Sequence, residues 1–214
     1  MKELLAATSN PHKLHELRAI FAPLGVGVLG LGDIPGGPFA EPIEDGGSFE
    51  SNARIKAVAY ARMTGRVCVA DDSGLEVLAL GGAPGVDSAY YAGRDGTRAQ
   101  RDARNNAKLL AALAGVPEEQ RTARFVCSMC AADPDGSVLA TSRGEFTGRI
   151  GFEARGVNGF GYDPLFVTSD GRTSAELSDA EKNARSHRGA AARAMAPILA
   201  PTPGKRPGAG SVLP

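Results

Sequence analysis

Val67, Cys68, Val69 and Ala70 form an apolar run that stops at two adjacent carboxylates, Asp71 and Asp72, followed by Ser73 and Gly74. No other segment limits the possible folds so tightly. A short apolar run bounded by polar residues reads as a buried strand. Ionised carboxylates at its end are costly to bury unless they meet cations or hydrogen-bond donors. Successive strand side chains point to opposite faces. One of the two Asp residues is therefore expected to face a site while the other braces the turn that ends the strand. A second strand is expected over residues 75–80.

The rest of the chain must supply a sheet around that strand and cations for its carboxylates. Residues 3–7, apolar after Glu3, read as a first strand, followed by Thr8, Ser9, Asn10 and Pro11. Asn10 suits a helix N-cap and Pro11 the first helical position. Leu14, Leu17, Phe21 and Leu24 continue at helical spacing. A strand is expected over residues 26–31, then an acidic, Gly- and Pro-rich loop over 32–47. Ser48 caps a helix ending near Thr64, with Gly65 closing it. Residues 97–114 read as an amphipathic helix, and 121–132 with 137–143 as a hairpin that 145–150 extends. Ser178 and Glu181 form a capping box, and helix runs on to about Leu199. Interleaved helices and strands followed by a hairpin predict an α/β fold with a mixed sheet. One domain over 1–199 is expected, with a disordered Pro- and Gly-rich tail over 200–214.

Composition narrows the function. The 214 residues carry 24 basic and 24 acidic side chains, a net charge of zero. That excludes a broad nucleic-acid or membrane-surface binder, which shows a basic excess. Three cysteines make no disulfide framework, and no apolar run approaches membrane-spanning length, so a soluble cytoplasmic protein is expected. Cys127 and Cys130, three residues apart on a strand, point to opposite faces as core residues rather than ligands. Gly25, Gly27 and Gly30 match a dinucleotide fingerprint in the wrong context, after a helix.

Four segments carry chemistry. Asp72 offers carboxylate oxygens that suit Mg²⁺, with Glu41, Glu44 or Asp45 as a second donor. Thr8 to Lys13 open a helix directly after a strand, where backbone N–H groups and the dipole favour phosphate, and Lys13 adds a point charge. In Gly159-Phe160-Gly161-Tyr162-Asp163-Pro164, Phe160 or Tyr162 offers a ring for stacking on a base and Asp163 an acceptor. Lys182, His187 and Arg188 bring cationic donors. On one continuous helix Lys182 and His187 would stand about 140° apart, so a break is needed, and Ser186 is able to cap a new helix. These parts together make a nucleoside-triphosphate site without a P-loop.

The ordered motifs T-x-N-x-x-K, S-F-E-x-N-A, A-D-D-S-G-L, G-G-x-P-G, G-F-G-Y-D-P-x-F and E-K-N-x-x-S-H-R-G cover about residues 4–195. In them the chain resembles the inosine triphosphate pyrophosphatase family, the non-canonical purine nucleoside-triphosphate pyrophosphatases of the HAM1 type. The resemblance implies an elongated two-lobed α/β fold around a central mixed sheet, with the active site in the cleft between the lobes. It implies Mg²⁺-dependent hydrolysis of ITP, dITP, XTP and dXTP to monophosphate and pyrophosphate, by a homodimer. Carried over motif by motif, Thr8, Ser9, Asn10, Pro11, His12 and Lys13 form the phosphate loop, with Lys13 also catalytic. Asp72 is general base and metal ligand, Glu44 the second metal ligand with Glu41 as alternative, and Ser73 touches the substrate. Phe160, Gly161, Tyr162 and Asp163 flank the base, and Lys182, His187 and Arg188 complete the clamp. A nucleotide-binding regulator without catalysis is the contrasting reading, and the presence of Lys13, Asp72 and Lys182 speaks against it.

Overall fold

The computed structural model of the protein describes residues 3–199. The tail expected over 200–214 lies outside the described residues. Strand β1 (Glu3–Ala6) leads into helix α1 (Pro11–Phe21) and strand β2 (Gly27–Gly30). Helix α2 (Phe49–Thr64), strand β3 (Cys68–Val77) and helix α3 (Arg98–Ala112) follow. The hairpin is β4 (Thr122–Ala132) with β5 (Val138–Ile150), and β6 (Phe166–Val167), α4 (Asp179–Arg185) and α5 (His187–Leu199) complete the chain.

The strands form one six-stranded sheet in the order β2-β1-β3-β4-β5-β6. β1 lies parallel to β2 and β3, because α1 carries the chain back over the sheet between β1 and β2. The remaining pairs are antiparallel. The mixed α/β sheet predicted from the sequence is thus observed.

Alternation along the strands separates the core into layers. Leu4, Ala6, Val69, Cys127 and Met129 face α1 and α5, meeting Leu17, Phe21 and Met195. Leu5, Cys68, Ala70 and Cys130 face α2, meeting Ala53, Ala57 and Tyr60. Cys127 and Cys130 therefore sit in different layers, as their spacing predicts. A third cluster at the far end of the sheet packs Leu75, Val77, Phe125 and Ile150 against Leu109 and Leu113 of α3.

The caps read from the sequence are present. The Asn10 side chain accepts from the His12 N–H, and the Ser48 hydroxyl from the Ser51 N–H at 3.2 Å. Ser178 and Glu181 close their capping box. The helix break at Ser186 is also there: the residue is extended, its hydroxyl accepts from the Gly189 N–H at 3.0 Å, and α5 starts at His187.

One expectation is corrected. Asp71-Asp72-Ser73-Gly74 is no turn, and 75–80 is no separate strand. All ten residues of β3 form one strand, with Asp71 opposite Met129 and Asp72 opposite Ser128 on β4. Antiparallel pairing along the whole length satisfies the backbone, and the carboxylates are compensated by cations from other elements. After Val77 the chain turns through a short 3₁₀ segment, Leu78–Leu80. At Gly74 the 85–88 segment comes so near that a Cβ would strike the Gly85 carbonyl and the Ser88 hydroxyl. The expected extension of the hairpin over 145–150 is present as part of β5.

Candidate active site

A cleft of about 730 Å³ opens over the middle of β3. The Thr8–Lys13 turn, the acidic loop, α2, β3, the 160–163 loop and the α4–α5 junction all reach it. Thr8 Oγ1 accepts from the Asn10 N–H at 3.1 Å, and Asn10 Oδ1 from the His12 N–H at 3.0 Å, so side chains of the loop itself shape its turn.

Asp72 and Asp71 point to opposite faces. Asp72 lines the cleft. Its Oδ1 accepts from Lys56 Nζ at 3.2 Å and its Oδ2 from Asn52 Nδ2 at 3.1 Å. Lys56 Nζ also donates to Glu44 Oε2 at 2.7 Å. Two carboxylates thus converge on one cation. Glu41 stands apart from this pair and accepts from the Ser9 hydroxyl at 2.5 Å. Burial opposes the Lys56 charge, but Asp72, Asp71 and Glu44 outweigh it and raise its pKa. Sequence reading missed Lys56 as a site residue. The signal was present: Asn52 lies within S-F-E-x-N-A and Lys56 stands four residues on, on the same helical face.

Asp71, by contrast, is fully enclosed. Arg188 Nη2 donates to its Oδ2 at 2.9 Å, and Lys13 Nζ lies 3.0 Å from the same oxygen. Burial alone would raise its pKa, but the charges of Arg188, Lys13 and Lys56 hold it well below the usual carboxylate range. Glu16 on α1 takes the other end of the Arg188 guanidinium and also Lys182 Nζ, at 2.9 Å. Against the cost of burial, these two cations bring its pKa down to about 2. Lys182 in turn pairs with Asp163 at 2.7 Å. Glu16 is a second residue that sequence reading passed over, three positions beyond Lys13 on α1.

The predicted base-binding residues divide. Asp163 Oδ2 accepts from the Phe160 N–H at 2.8 Å, which holds the loop closed. The Phe160 ring lies against the cleft and stacks with His12 at 5.3 Å between centroids. Tyr162 does not offer its ring in the same way. It belongs to the third core cluster, and its hydroxyl donates to the Ser88 carbonyl at 2.9 Å. Arg188 is 1% exposed and its guanidinium serves Asp71, Glu16 and the Ser73 hydroxyl. It organises the buried carboxylates Asp71 and Glu16 while still lining the cleft. His187 stacks on Phe125 at 5.0 Å, and its Nδ1 has no hydrogen-bond partner among the described residues. Burial first, then the Arg188 charge, lowers its pKa well below 6.5, so the ring is neutral at pH 7.

These shifts set an acid limit. His187 stays neutral in the fold while the unfolded ring takes a proton below 6.5, so stability falls as pH drops through that value. Glu16, lowered from 4.5 to about 2, contributes stability that is complete above 4.5 and is lost between these values. Urea midpoints should be level from pH 8 to about 7, fall below 6.5, and fall more steeply below 4.5. A midpoint unchanged from pH 7 to about 4 would contradict this assignment.

Comparison with known proteins agrees with the geometry. The chain is 50% identical to a dITP/XTP pyrophosphatase of Nocardia farcinica over 94% of its own length and 96% of that protein. It is 46% identical to a dITP/XTP pyrophosphatase of Anaeromyxobacter dehalogenans over 92% and 97%. A HAM1 protein from Coxiella burnetii superposes with a TM-score of 0.80 at 38% identity, covering 93% of this chain and 98% of that one. A nucleoside-triphosphatase, dITP/XTP pyrophosphatase, from Mycobacterium abscessus gives 0.69 at 45%, covering 92% and 98%. The Ham1 family model matches residues 4–198, nearly every described residue and every segment that lines the cleft, and the chain belongs to that family.

Proposed function

We propose that the chain is a Mg²⁺-dependent pyrophosphatase of non-canonical purine nucleoside triphosphates. It would convert ITP, dITP, XTP and dXTP to the monophosphate and pyrophosphate, clearing deaminated purines from the nucleotide pool. One observation carries the reading: a carboxylate pair, a Lys-bearing helix N-terminus and an aromatic shelf all face a single cleft. The pyrophosphatases named above, alike over nearly their whole length, support it.

The donor set fits Mg²⁺. Among the described residues no group of three or more His, Cys, Asp or Glu is placed to hold a metal. Glu44 and Asp72 do converge on one cation, Lys56. Mg²⁺ commonly takes one or two carboxylates and completes its shell with water and substrate phosphates. When bound, it would neutralise phosphate charge and acidify a water. Asp72, steadied by Asn52 and Lys56, would accept the proton of the water that attacks the α-phosphorus. Lys13, with Thr8, Ser9, Asn10, Pro11 and His12, would hold the polyphosphate as pyrophosphate leaves. Ser73 would touch the substrate beside Asp72.

Phe160 would carry the purine, with Gly161, Tyr162 and Asp163 shaping the shelf and Lys182, His187 and Arg188 closing the clamp. The neutral His187 ring lines that end of the cleft. A donor there favours a 6-oxo purine, because a 6-amino group would leave it unpaired. The motif resemblance extends the proposal to a homodimer in the cytoplasm. Among the described residues no helix is long and apolar enough to cross a membrane.

Pyrophosphate release from ITP, XTP, dITP, dGTP, dTTP and ATP, with and without Mg²⁺, tests the reading. We expect release from ITP and XTP to need Mg²⁺ and to exceed that from ATP by about a hundredfold in kcat/KM. Equal turnover of ATP and ITP would overturn the purine assignment. Orthophosphate as product would move the cleavage to the γ-phosphate.

A further inference from the structure

Helix α3 carries a polar stripe, of which Arg98 and Asp102 line the cleft, that the proposed chemistry leaves unused. Arg98, Asp102 and Asn106 recur at four-residue spacing and so share one helical face. Asp102 Oδ2 accepts from the Gly161 N–H at 3.1 Å. Asn106 Nδ2 donates to the Gly161 carbonyl at 2.9 Å. Both backbone polar groups of one loop residue are thus held by a helix 55 and 59 positions away. Gly161 has φ +62°, the left-handed region, and no atom lies within 4 Å of the place its Cβ would take. The Arg98 guanidinium lies over the Phe160 ring, 4.9 Å from its centroid, and Arg98 Nε, 3.7 Å from Asp102 Oδ2, is buried with no hydrogen-bond partner among the described residues.

We propose that Arg98, Asp102 and Asn106 are positioning residues that set the orientation of Phe160 and thereby the selectivity for the base. The proposal rests on the reading above, in which Phe160 is the shelf for the purine. Phe160 stands between Gly159 and Gly161, whose backbones are free to adopt many conformations. The Asp163 bond to the Phe160 N–H holds the loop from inside, and the α3 grip on Gly161 holds it from the other side. A purine on a tilted shelf presents its 6-position to the α5 end of the cleft at a poorer angle, and hydrogen bonds weaken steeply with angle. The phosphate end depends on α1, α2 and the Asp72 part of β3, to which the side chains of Arg98, Asp102 and Asn106 make no hydrogen bond among the described residues. Base selectivity is therefore the property that α3 should govern.

Asp102→Ala and Asn106→Ala are each expected to raise KM for ITP about tenfold, leave kcat within about threefold, and lower the ITP-to-ATP ratio of kcat/KM. Asp102→Asn keeps an acceptor oxygen for the Gly161 N–H and should retain most of the selectivity. Variants that leave KM and the ratio unchanged, or that lower kcat alike for all triphosphates, overturn the proposal. A second measurement does not depend on catalysis. The chain has no Trp, so Phe160→Trp introduces the sole indole. Adding Asp102→Ala and Asn106→Ala to it should raise the acrylamide quenching constant about twofold or more, through a looser loop. Unchanged quenching overturns the proposal whether or not any triphosphate is hydrolysed. A wild-type protein that releases no pyrophosphate overturns the functional reading, and the quenching result then decides this one alone.

Discussion

Asp72→Asn will lower pyrophosphate release from ITP by about a thousandfold or more while the protein remains folded. The substitution is close to isosteric. It keeps an oxygen for Lys56, and Lys56 retains Glu44, so no buried cation is left alone. What disappears is a carboxylate able to take a proton from water, together with half of the anionic pair facing the cleft. General-base removal alone is worth about a hundred- to ten-thousandfold, and the weaker hold on a divalent cation adds to it. The loss should appear in kcat, because phosphate contacts through Lys13 and the α1 turn remain. A coupled pyrophosphate assay beside a thermal melt separates the effects. Activity above a tenth of wild type, with the melt unchanged, would remove Asp72 from the chemistry.

The second large effect concerns stability. Arg188→Met should cost about 3–5 kcal/mol, because it leaves Asp71 and Glu16 buried without their shared cation. For a chain of this size that corresponds to a fall in Tm of about 10 °C. Asp71 keeps Lys13 and Glu16 keeps Lys182, which holds the cost within that range. Pairing Arg188→Met with Asp71→Asn should recover part of the loss, since the orphaned charge is removed as well. Urea unfolding of the four members of this cycle gives the coupling directly. Additive losses would mean that Asp71 and Arg188 do not stabilise one another, and that the cluster rests on Glu16 alone.

These two predictions draw on different depths of the same strand. Neighbouring side chains of β3 alternate, so Asp72 looks into the cleft and Asp71 into the protein. That alternation is legible in the sequence, as are the helix caps at Asn10, Ser48 and Ser178 and the break at Ser186, because each depends on a few adjacent residues. The cleft's inventory is legible too, since its motifs are short and appear in order. Lys56 and Glu16 do not stand out in the sequence, although each lies one helical turn from a residue that does. Their value depends on which carboxylate or cation faces them, and helical spacing does not state that.

Taken alone, the sequence determined the local elements, the mixed α/β sheet, the opposed faces of Asp71 and Asp72, and the set of groups available to a nucleotide. Tertiary structure decided how those groups were shared. It extended β3 through the carboxylates, because β4 pairs with its full length. It joined Glu44 rather than Glu41 to Asp72 through Lys56, and drew the Tyr162 hydroxyl to the Ser88 carbonyl. It turned Arg188 inward to Asp71, a residue 117 positions away. The physical reason is that a buried charge is tolerated only beside its counter-charge. Which counter-charge arrives is settled by packing of distant elements, and no local pattern encodes that.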